Sequence, residues 1–255
     1  MPEFFEIKHL TKQFGGLAAV SDFSMHVKKG ELVGLIGPNG AGKSTVFNLI
    51  TGIFPPTSGR VVFDGKNITA MRSDKIAALG IGRTFQLNPL FADYSVLENV
   101  STSFHLSQRA NLLKIYFNTP SHQRDEARIL EMSLEILKLV GLETVKDELA
   151  RNLPHGYQKM LGMARALATR PRLLLLDEPL GGMNPSEIEF TLGAIKKTQD
   201  QGLTILMVEH NLQILDLCDR VVVISFGQKI CEGLPGDVRE NEQVIQAYFG
   251  GDSSA

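Results

Sequence analysis

The 255-residue sequence has no tryptophan and only two cysteines, Cys218 and Cys231. Two thiols cannot build a disulfide framework, and no CxxC spacing offers a zinc site. They read as reduced, partly buried thiols of a cytosolic protein. No run of about 18 or more apolar residues occurs, so no segment has the length to cross a bilayer as a helix. The opening stretch MPEFFEIKHLTK carries acids early and lacks the apolar core of a signal peptide. A large excess of one charge is also missing: 26 Lys+Arg stand against 28 Asp+Glu, a net charge of −2. That balance removes the usual electrostatic reason to expect a nucleic-acid partner.

What remains is an ordinary globular mix, 43% hydrophobic and 21% charged, which excludes a disordered chain. At roughly 150 residues per domain, the length permits one large domain or two small ones. Composition predicts a soluble chain with a real core and names no activity.

The pattern along the chain is more specific. Phe4–His9 and Leu17–Val27 alternate apolar and polar residues, as half-buried strands do. Glu31–Ile36 is nearly all apolar, which suits a strand buried on both faces. It runs into Gly37-Pro38-Asn39-Gly40-Ala41-Gly42-Lys43-Ser44-Thr45, after which Val46, Phe47, Leu49 and Ile50 recur at helical spacing. Val61–Phe63 reads as another strand, followed by an Asp64-Gly65 turn. From about Ser95 to Ala168 the pattern is mainly helical, with an apolar stripe at Ile129, Leu130, Leu134, Ile136, Leu137 and Val140. A polar insertion over residues 109–125 precedes that stripe. Strand and helix then alternate again: Leu173–Leu176, Glu187–Gln199, Thr204–Val208, Val221–Ile224 and Gln243–Phe249. Strands separated by helices predict an α/β fold with a mostly parallel sheet, and the helical middle reads as an insertion.

Two stretches carry chemistry. Residues 37–44 fit G-x-x-x-x-G-K-[ST], the phosphate-binding loop. Its glycines let backbone N–H groups turn inward onto phosphate oxygens, and the following helix adds its positive N-terminus. Lys43 supplies a point charge to the β- and γ-phosphates, and the Ser44 hydroxyl suits Mg²⁺. The second stretch is Leu173-Leu-Leu-Leu-Asp177-Glu178. An apolar run ending in two acids is commonly just a strand exit. Beside a phosphate loop, Asp177 fits a Mg²⁺ ligand, direct or through water, and Glu178 fits the group that orients or activates the attacking water.

With these residues in place, the chain resembles the ATP-binding subunits of ABC transporters over nearly its whole length. The resemblance implies a P-loop NTPase core with a mostly parallel sheet, an N-terminal antiparallel β subdomain and an inserted α-helical subdomain. It divides residues 1–250 into an ATPase core (1–86 and 169–250) and the insertion (87–168), with 251–255 a loose tail. Phe14 lies where the family has an aromatic that stacks on adenine. Gln86, in Arg83-Thr-Phe-Gln86, matches the glutamine that contacts Mg²⁺ and the water. His210 matches the switch histidine at the γ-phosphate.

The family signature Leu-Ser-Gly-Gly-Gln corresponds to Leu153-Pro154-His155-Gly156-Tyr157. That segment acts in trans on ATP held by a partner ATPase. Pro154 offers neither hydroxyl nor N–H, so the segment is weakened, and Tyr157 replaces the closing glutamine. Asn184-Pro185, Gly80–Gln86, Val96–Val100 and Val244–Gly250 are similar to the LivG-type ATPases of branched-chain amino-acid importers. The implied function is ATP hydrolysis with Mg²⁺, powering uptake of branched-chain or other hydrophobic amino acids. Other cargo remains open at this stage, as urea or amide import or lipopolysaccharide export, and so does a weakly hydrolysing, nucleotide-gated regulatory subunit. The implied partners are a second ABC ATPase (different or a second copy), transmembrane permeases and, indirectly, a periplasmic or extracellular binding protein. The implied location is cytoplasmic, on the inner face of the cell membrane.

Overall fold

The computed structural model describes residues 3–84, 90–105 and 120–249. These divide into two compact units. The first spans Met1–Arg83, Arg172–Pro179 and Gln199–Ala255, and the second spans Thr84–Pro171 and Leu180–Thr198. Residues 180–198, which the sequence reading grouped with the ATPase core, thus fall in the second unit.

The first unit holds two sheets. One is antiparallel, with strand order β2-β1-β4-β5, formed by β1 (Phe5–Phe14), β2 (Leu17–Val27), β4 (Ser58–Phe63) and β5 (Lys66–Asn67). The alternation of inward and outward residues along β1 and β2 matches the alternation of the sequence. Phe5, Ile7, Leu10, Phe23 and Val27 point into the core.

The other sheet has six strands in the order β10-β9-β3-β8-β7-β6. Its members are β3 (Leu32–Ile36), β6 (Ile81–Arg83), β7 (Leu173–Asp177), β8 (Thr204–Glu209), β9 (Arg220–Ser225) and β10 (Gln228–Gly233). All its pairings are parallel except β9 with β10. Every residue of β3, β7 and β8 is buried, which explains their unbroken apolar runs: a strand covered on both faces has no solvent side to alternate toward. The short strands β5, β6 and β10 escape the sequence reading. β5 has two residues and β6 three, and β10, Gln-Lys-Ile-Cys-Glu-Gly, is half-exposed at a sheet edge. The unit also carries α1 (Lys43–Ile50), α2 (Ser73–Ala78), α7 (Pro235–Glu240) and α8 (Glu242–Phe249).

The second unit is helical, with α3 (Val96–His105), α4 (Pro120–Leu139), α5 (His155–Ala168) and most of α6 (Pro185–Asp200). Val96, Val100, Phe104, Ile129, Leu137, Met160 and Leu161 form its interior. Buried Asn99 fixes the turn before α3: its Nδ2 donates to the carbonyls of Phe91 (3.0 Å) and Ser95 (3.0 Å), and its Oδ1 accepts the Phe91 N–H. Among the described residues, no helix is long and apolar enough to cross a membrane.

Candidate functional site

The start of β2 and the segments that follow β3, β7 and β9 line one cleft of the first unit. β3 stops at Ile36 and the chain enters the glycine loop. The loop needs glycine because it is squeezed between neighbours. A Cβ on Gly37 would sit 2.1 Å from the Ile224 carbonyl, and one on Gly42 2.5 Å from the Ala19 carbonyl. Gly42 also has φ +105°, outside the range of residues with side chains. It caps α1 without a side-chain hydrogen bond, and no acid occupies the first turn of that helix. The first N–H groups of a helix have no intrahelical acceptor, and with the helix dipole they favour an anion.

Lys43 opens α1 and is only 4% exposed. Its Nζ donates to the carbonyls of Gly37 (2.6 Å) and Pro38 (2.9 Å). Burial pushes its pKa below the ordinary lysine value, and the carboxylates of Glu178, Glu209 and Asp177 partly oppose that shift. The open cleft above the loop encloses about 370 Å³ and is lined by Leu17–Ala19, Asn39–Thr45, Glu178, Phe226 and Gly227. Ser44 is exposed there.

Asp177 ends β7 and is buried. Its Oδ2 accepts from Arg83 Nη2 at 2.7 Å, while Arg83 Nη1 donates to Asn48 Oδ1 (2.9 Å) on α1 and to Thr51 Oγ1 (3.0 Å) at the C-cap of that helix. Glu178 follows with φ +46°, a left-handed conformation that is costly for a residue with a side chain. Its N–H donates to the Val208 carbonyl (3.0 Å), which pins the turn against β8. At the end of β8, Glu209 is fully buried and its Oε2 accepts the His210 N–H at 3.3 Å. The His210 ring, 45% exposed, has Nδ1 3.8 Å from the same oxygen.

Phe14 is placed differently. Its ring packs edge-on against Phe54 (5.6 Å between centroids) beneath the Lys12 ammonium (5.0 Å) and does not line the cleft. Leu17 and Phe226, which the sequence reading did not single out, do line it. Gln86 lies outside the described residues.

The second unit brings the signature segment against the segment before α6. Leu153 is buried, and Pro154 stands as the N-cap of α5 with no capping side chain. The His155 ring lies over Gly182: a Cβ there would be 3.3 Å from His155 Cδ2. Gly156 faces Glu187 so closely that a Cβ would lie 2.7 Å from Oε1. Glu187 is itself fixed by a reciprocal capping box, in which Asn184 N–H donates to Glu187 Oε2 (2.9 Å) and Glu187 N–H donates to Asn184 Oδ1 (3.0 Å). Tyr157 lines a small cavity of about 170 Å³ with Met160, Glu187, Phe190 and Thr191. The glutamine at this helix start is the next residue, Gln158, whose Nε2 donates to the Leu153 carbonyl (3.0 Å). Glu187 escaped the sequence reading because it sits 31 positions from Gly156, although Asn-x-x-Glu before a helical pattern is a readable cap.

Among the described residues, no group of three or more His, Cys, Asp or Glu side chains could hold a metal by itself. The Ser44 hydroxyl on the loop and the Asp177 carboxylate at the end of β7, whose Oδ2 accepts from Arg83, are oxygen donors of the kind that suit Mg²⁺, with the rest of its shell from water and phosphate.

Comparison with known proteins gives the same picture. The ABC transporter family matches residues 20–181, and the family described as branched-chain amino acid ATP-binding cassette transporter matches residues 228–253. The chain is 38% identical over 247 residues to the high-affinity branched-chain amino acid transport ATP-binding protein BraF of Pseudomonas aeruginosa, covering 96% of this chain and 97% of that one. It is 35% identical over 246 residues to LivG of Escherichia coli, a protein of the same description, covering 96% of each. The ADP conformation of MJ1267, an ATP-binding cassette of an ABC transporter, superposes with a TM-score of 0.84 at 30% identity, over 98% of this chain and 100% of that one. The dimeric structure of MJ0796, a bacterial ABC transporter cassette, gives 0.77 at 26% identity, over 91% and 98%. The chain belongs to the family of ATP-binding cassettes of ABC transporters, enzymes that bind and hydrolyse ATP.

Proposed function

We propose that this ATPase takes ATP and Mg²⁺ in the cleft of its first unit and powers the import of branched-chain amino acids through membrane-spanning partner subunits. The observation that carries the site is Lys43, buried at the foot of the glycine loop with Asp177, Glu178 and Glu209 acting on its charge. Such an ammonium, together with the amides of residues 40–45, is suited to a polyphosphate.

In this reading Gly37–Thr45 cradle the phosphates and Lys43 bridges the β- and γ-phosphates. Ser44, Asp177 and Gln86 would hold Mg²⁺, which when bound draws charge from the phosphate oxygens. Glu178 accepts a proton from the attacking water, or orients it, as phosphoryl transfer proceeds. His210 reaches the γ-phosphate from the end of β8, and Phe14 meets the base. Leu153–Tyr157 serve the ATP of a partner ATPase, and Gly156 keeps the backbone amide that Pro154 lacks.

The cargo reading rests on the printed descriptions of BraF and LivG and on the match of residues 228–253 to the branched-chain amino acid cassette family. The partners are a second ABC ATPase or a second copy, permeases that span the membrane, and indirectly an external binding protein. The chain then works at the inner face of the cell membrane.

The test is uptake of labelled leucine into proteoliposomes holding the chain with its permeases and partner ATPase. Leucine accumulation that needs ATP and disappears with Glu178→Gln supports the reading. ATP turnover coupled to a different cargo, with no leucine uptake, would replace it. A second reading has its own support in Pro154: if the chain pairs with itself, both composite sites carry the weakened signature, and ATP acts mainly as a gate. Rapid turnover by the chain alone would remove that reading.

A further inference from the structure

The last helix of the first unit, α8, is firmly seated. The Asn241 side-chain oxygen caps it by accepting the N–H groups of Gln243 (2.9 Å) and Val244 (3.2 Å). The helix packs on α7 and β10, and Val244 is buried. Tyr248 stands four residues on, so it shares the inward face of Val244. Its Oη is shielded from solvent and has no hydrogen-bond partner among the described residues. A buried polar atom without a partner is costly and calls for an explanation.

Two neighbours of that hydroxyl belong to the nucleotide site. They are the Gly37 backbone, where the phosphate loop begins, and the Glu209 carboxylate at the end of β8. Burial and the Glu209 charge push the phenol above the ordinary tyrosine range, with the Gly37 backbone opposing. The group therefore keeps its proton and can donate it. Glu209 is fully buried, and its charge also acts on Lys43. The Lys43 ammonium donates to the Gly37 and Pro38 carbonyls beneath the loop. A polyphosphate would draw that ammonium to its own oxygens and add further negative charge. Glu209 would then lose support from the cation, and a buried carboxylate is stable only with donors or a counter-charge.

We infer that Tyr248 is a positioning residue of this ATPase: as nucleotide fills the loop, its O–H donates to the Glu209 carboxylate and steadies the end of β8 from which His210 projects. The inference rests on the proposed nucleotide site and extends it to a helix that does not line the cleft. The hydrogen bond forms only in the occupied state, so it adds to nucleotide affinity and not to the stability of the empty protein.

The variant Y248F removes one oxygen and keeps the ring. Without nucleotide it melts at or above wild type, because the lost atom was buried and unpartnered. Calorimetric titration of the full chain with the magnesium complex of adenylyl imidodiphosphate, an ATP analogue that is not hydrolysed, shows affinity lower by about tenfold. Magnesium tripolyphosphate loses affinity by the same factor, because the effect runs through the loop and Lys43 and not through the base. In a Glu209→Gln background the further loss from Y248F shrinks to about threefold or less, since an amide accepts more weakly than a carboxylate. Unchanged affinity in Y248F, with or without a lower melting temperature, makes Tyr248 a packing residue and overturns the inference. A tenfold loss that persists in the Glu209→Gln background excludes Glu209 as the partner and overturns it as well. If wild type binds neither the analogue nor tripolyphosphate, the nucleotide site itself fails, and this inference with it.

Discussion

Arg83 and Asp177 form a 2.7 Å ion pair whose side chains are only 7% and 6% exposed. The same guanidinium reaches Asn48 of α1 and Thr51 at its C-cap and lies 5.5 Å from the Phe47 ring centroid. One planar cation thus ties β6, β7 and the helix that follows the phosphate loop. It holds the Asp177 carboxylate, proposed above as a Mg²⁺ ligand, at the end of β7.

Removing one member of a buried pair leaves the other charge desolvated. Arg83→Met is expected to lower unfolding free energy by about 3–5 kcal/mol in urea titration. Arg83→Lys should recover little, because an ammonium cannot replace a fork that meets three oxygens on two elements. A loss below about 1 kcal/mol, the size typical of an exposed pair, would show that the pair does not organise this region.

The contact of Gly156 with Glu187 makes a prediction for the signature segment. Gly156→Ala must displace the Glu187 carboxylate, since a Cβ would lie 2.7 Å from Oε1 and 2.8 Å from Cδ. Glu187→Ala removes half of the capping box and should cost about 1 kcal/mol. Once Glu187 is truncated, the alanine at 156 has room. The double variant should therefore be more stable than the sum of the singles implies, by about 1 kcal/mol in a double-mutant cycle. Strict additivity would mean that the two segments do not constrain each other.

These relationships mark where the sequence stops being legible. The P-loop core and the mostly parallel sheet could be read because each has a local signature, whereas the antiparallel pairing of the N-terminal strands came only from the family resemblance. The buried strands β3, β7 and β8 are unbroken apolar runs, and the glycine loop is a contiguous motif. Short edge elements leave too few residues for a period: β5 and β6 have two and three. Side-chain partnerships between distant positions leave no local trace at all. Arg83 stood inside a quoted motif, but nothing in the order of residues says that its guanidinium turns to Asp177, 94 positions away. Phe14 is a further case. Its motif position suggests the base, but nothing in the order of residues says that its ring, 44% exposed, packs edge-to-face with Phe54 under the Lys12 ammonium.

The two cysteines should differ sharply in reactivity. Cys218 is 5% exposed, and burial with the nearby Asp219 charge pushes its thiol up to about 12. Burial also raises the half-buried Cys231, with its own backbone hydrogen bond at Glu232 opposing the shift. A raised pKa keeps the unreactive thiol form at neutral pH. At pH 8 the thiolate of Cys218 is about one part in 10⁴, and alkylation accelerates as pH rises toward its pKa. Under native conditions iodoacetamide should modify Cys231 slowly and leave Cys218 untouched until urea unfolds the chain, as read by peptide mass spectrometry. Fast native labelling of Cys218 would contradict its packing against Gly34, where a Cβ would meet the sulfur at 2.9 Å.

Glu178 combines a strained backbone, φ +46°, with the position proposed for water activation, and the two properties can be separated by substitution. Glu178→Gln keeps the shape of the side chain and the strain but cannot accept a proton. Turnover should fall by at least about a hundredfold, while MgATP binding persists, because Lys43 and the loop amides are unchanged. Glu178→Asn relieves the backbone instead, since asparagine tolerates the left-handed region. Its nucleotide-free form should gain about 0.5–1 kcal/mol in stability and still lose turnover. A site held in strain for function predicts this pairing of higher stability with lower activity. If Glu178→Asn instead destabilised the protein and Glu178→Gln hydrolysed ATP at a near-normal rate, Glu178 would be a structural residue of the β7 turn, and the proton acceptor would have to be sought elsewhere in the cleft.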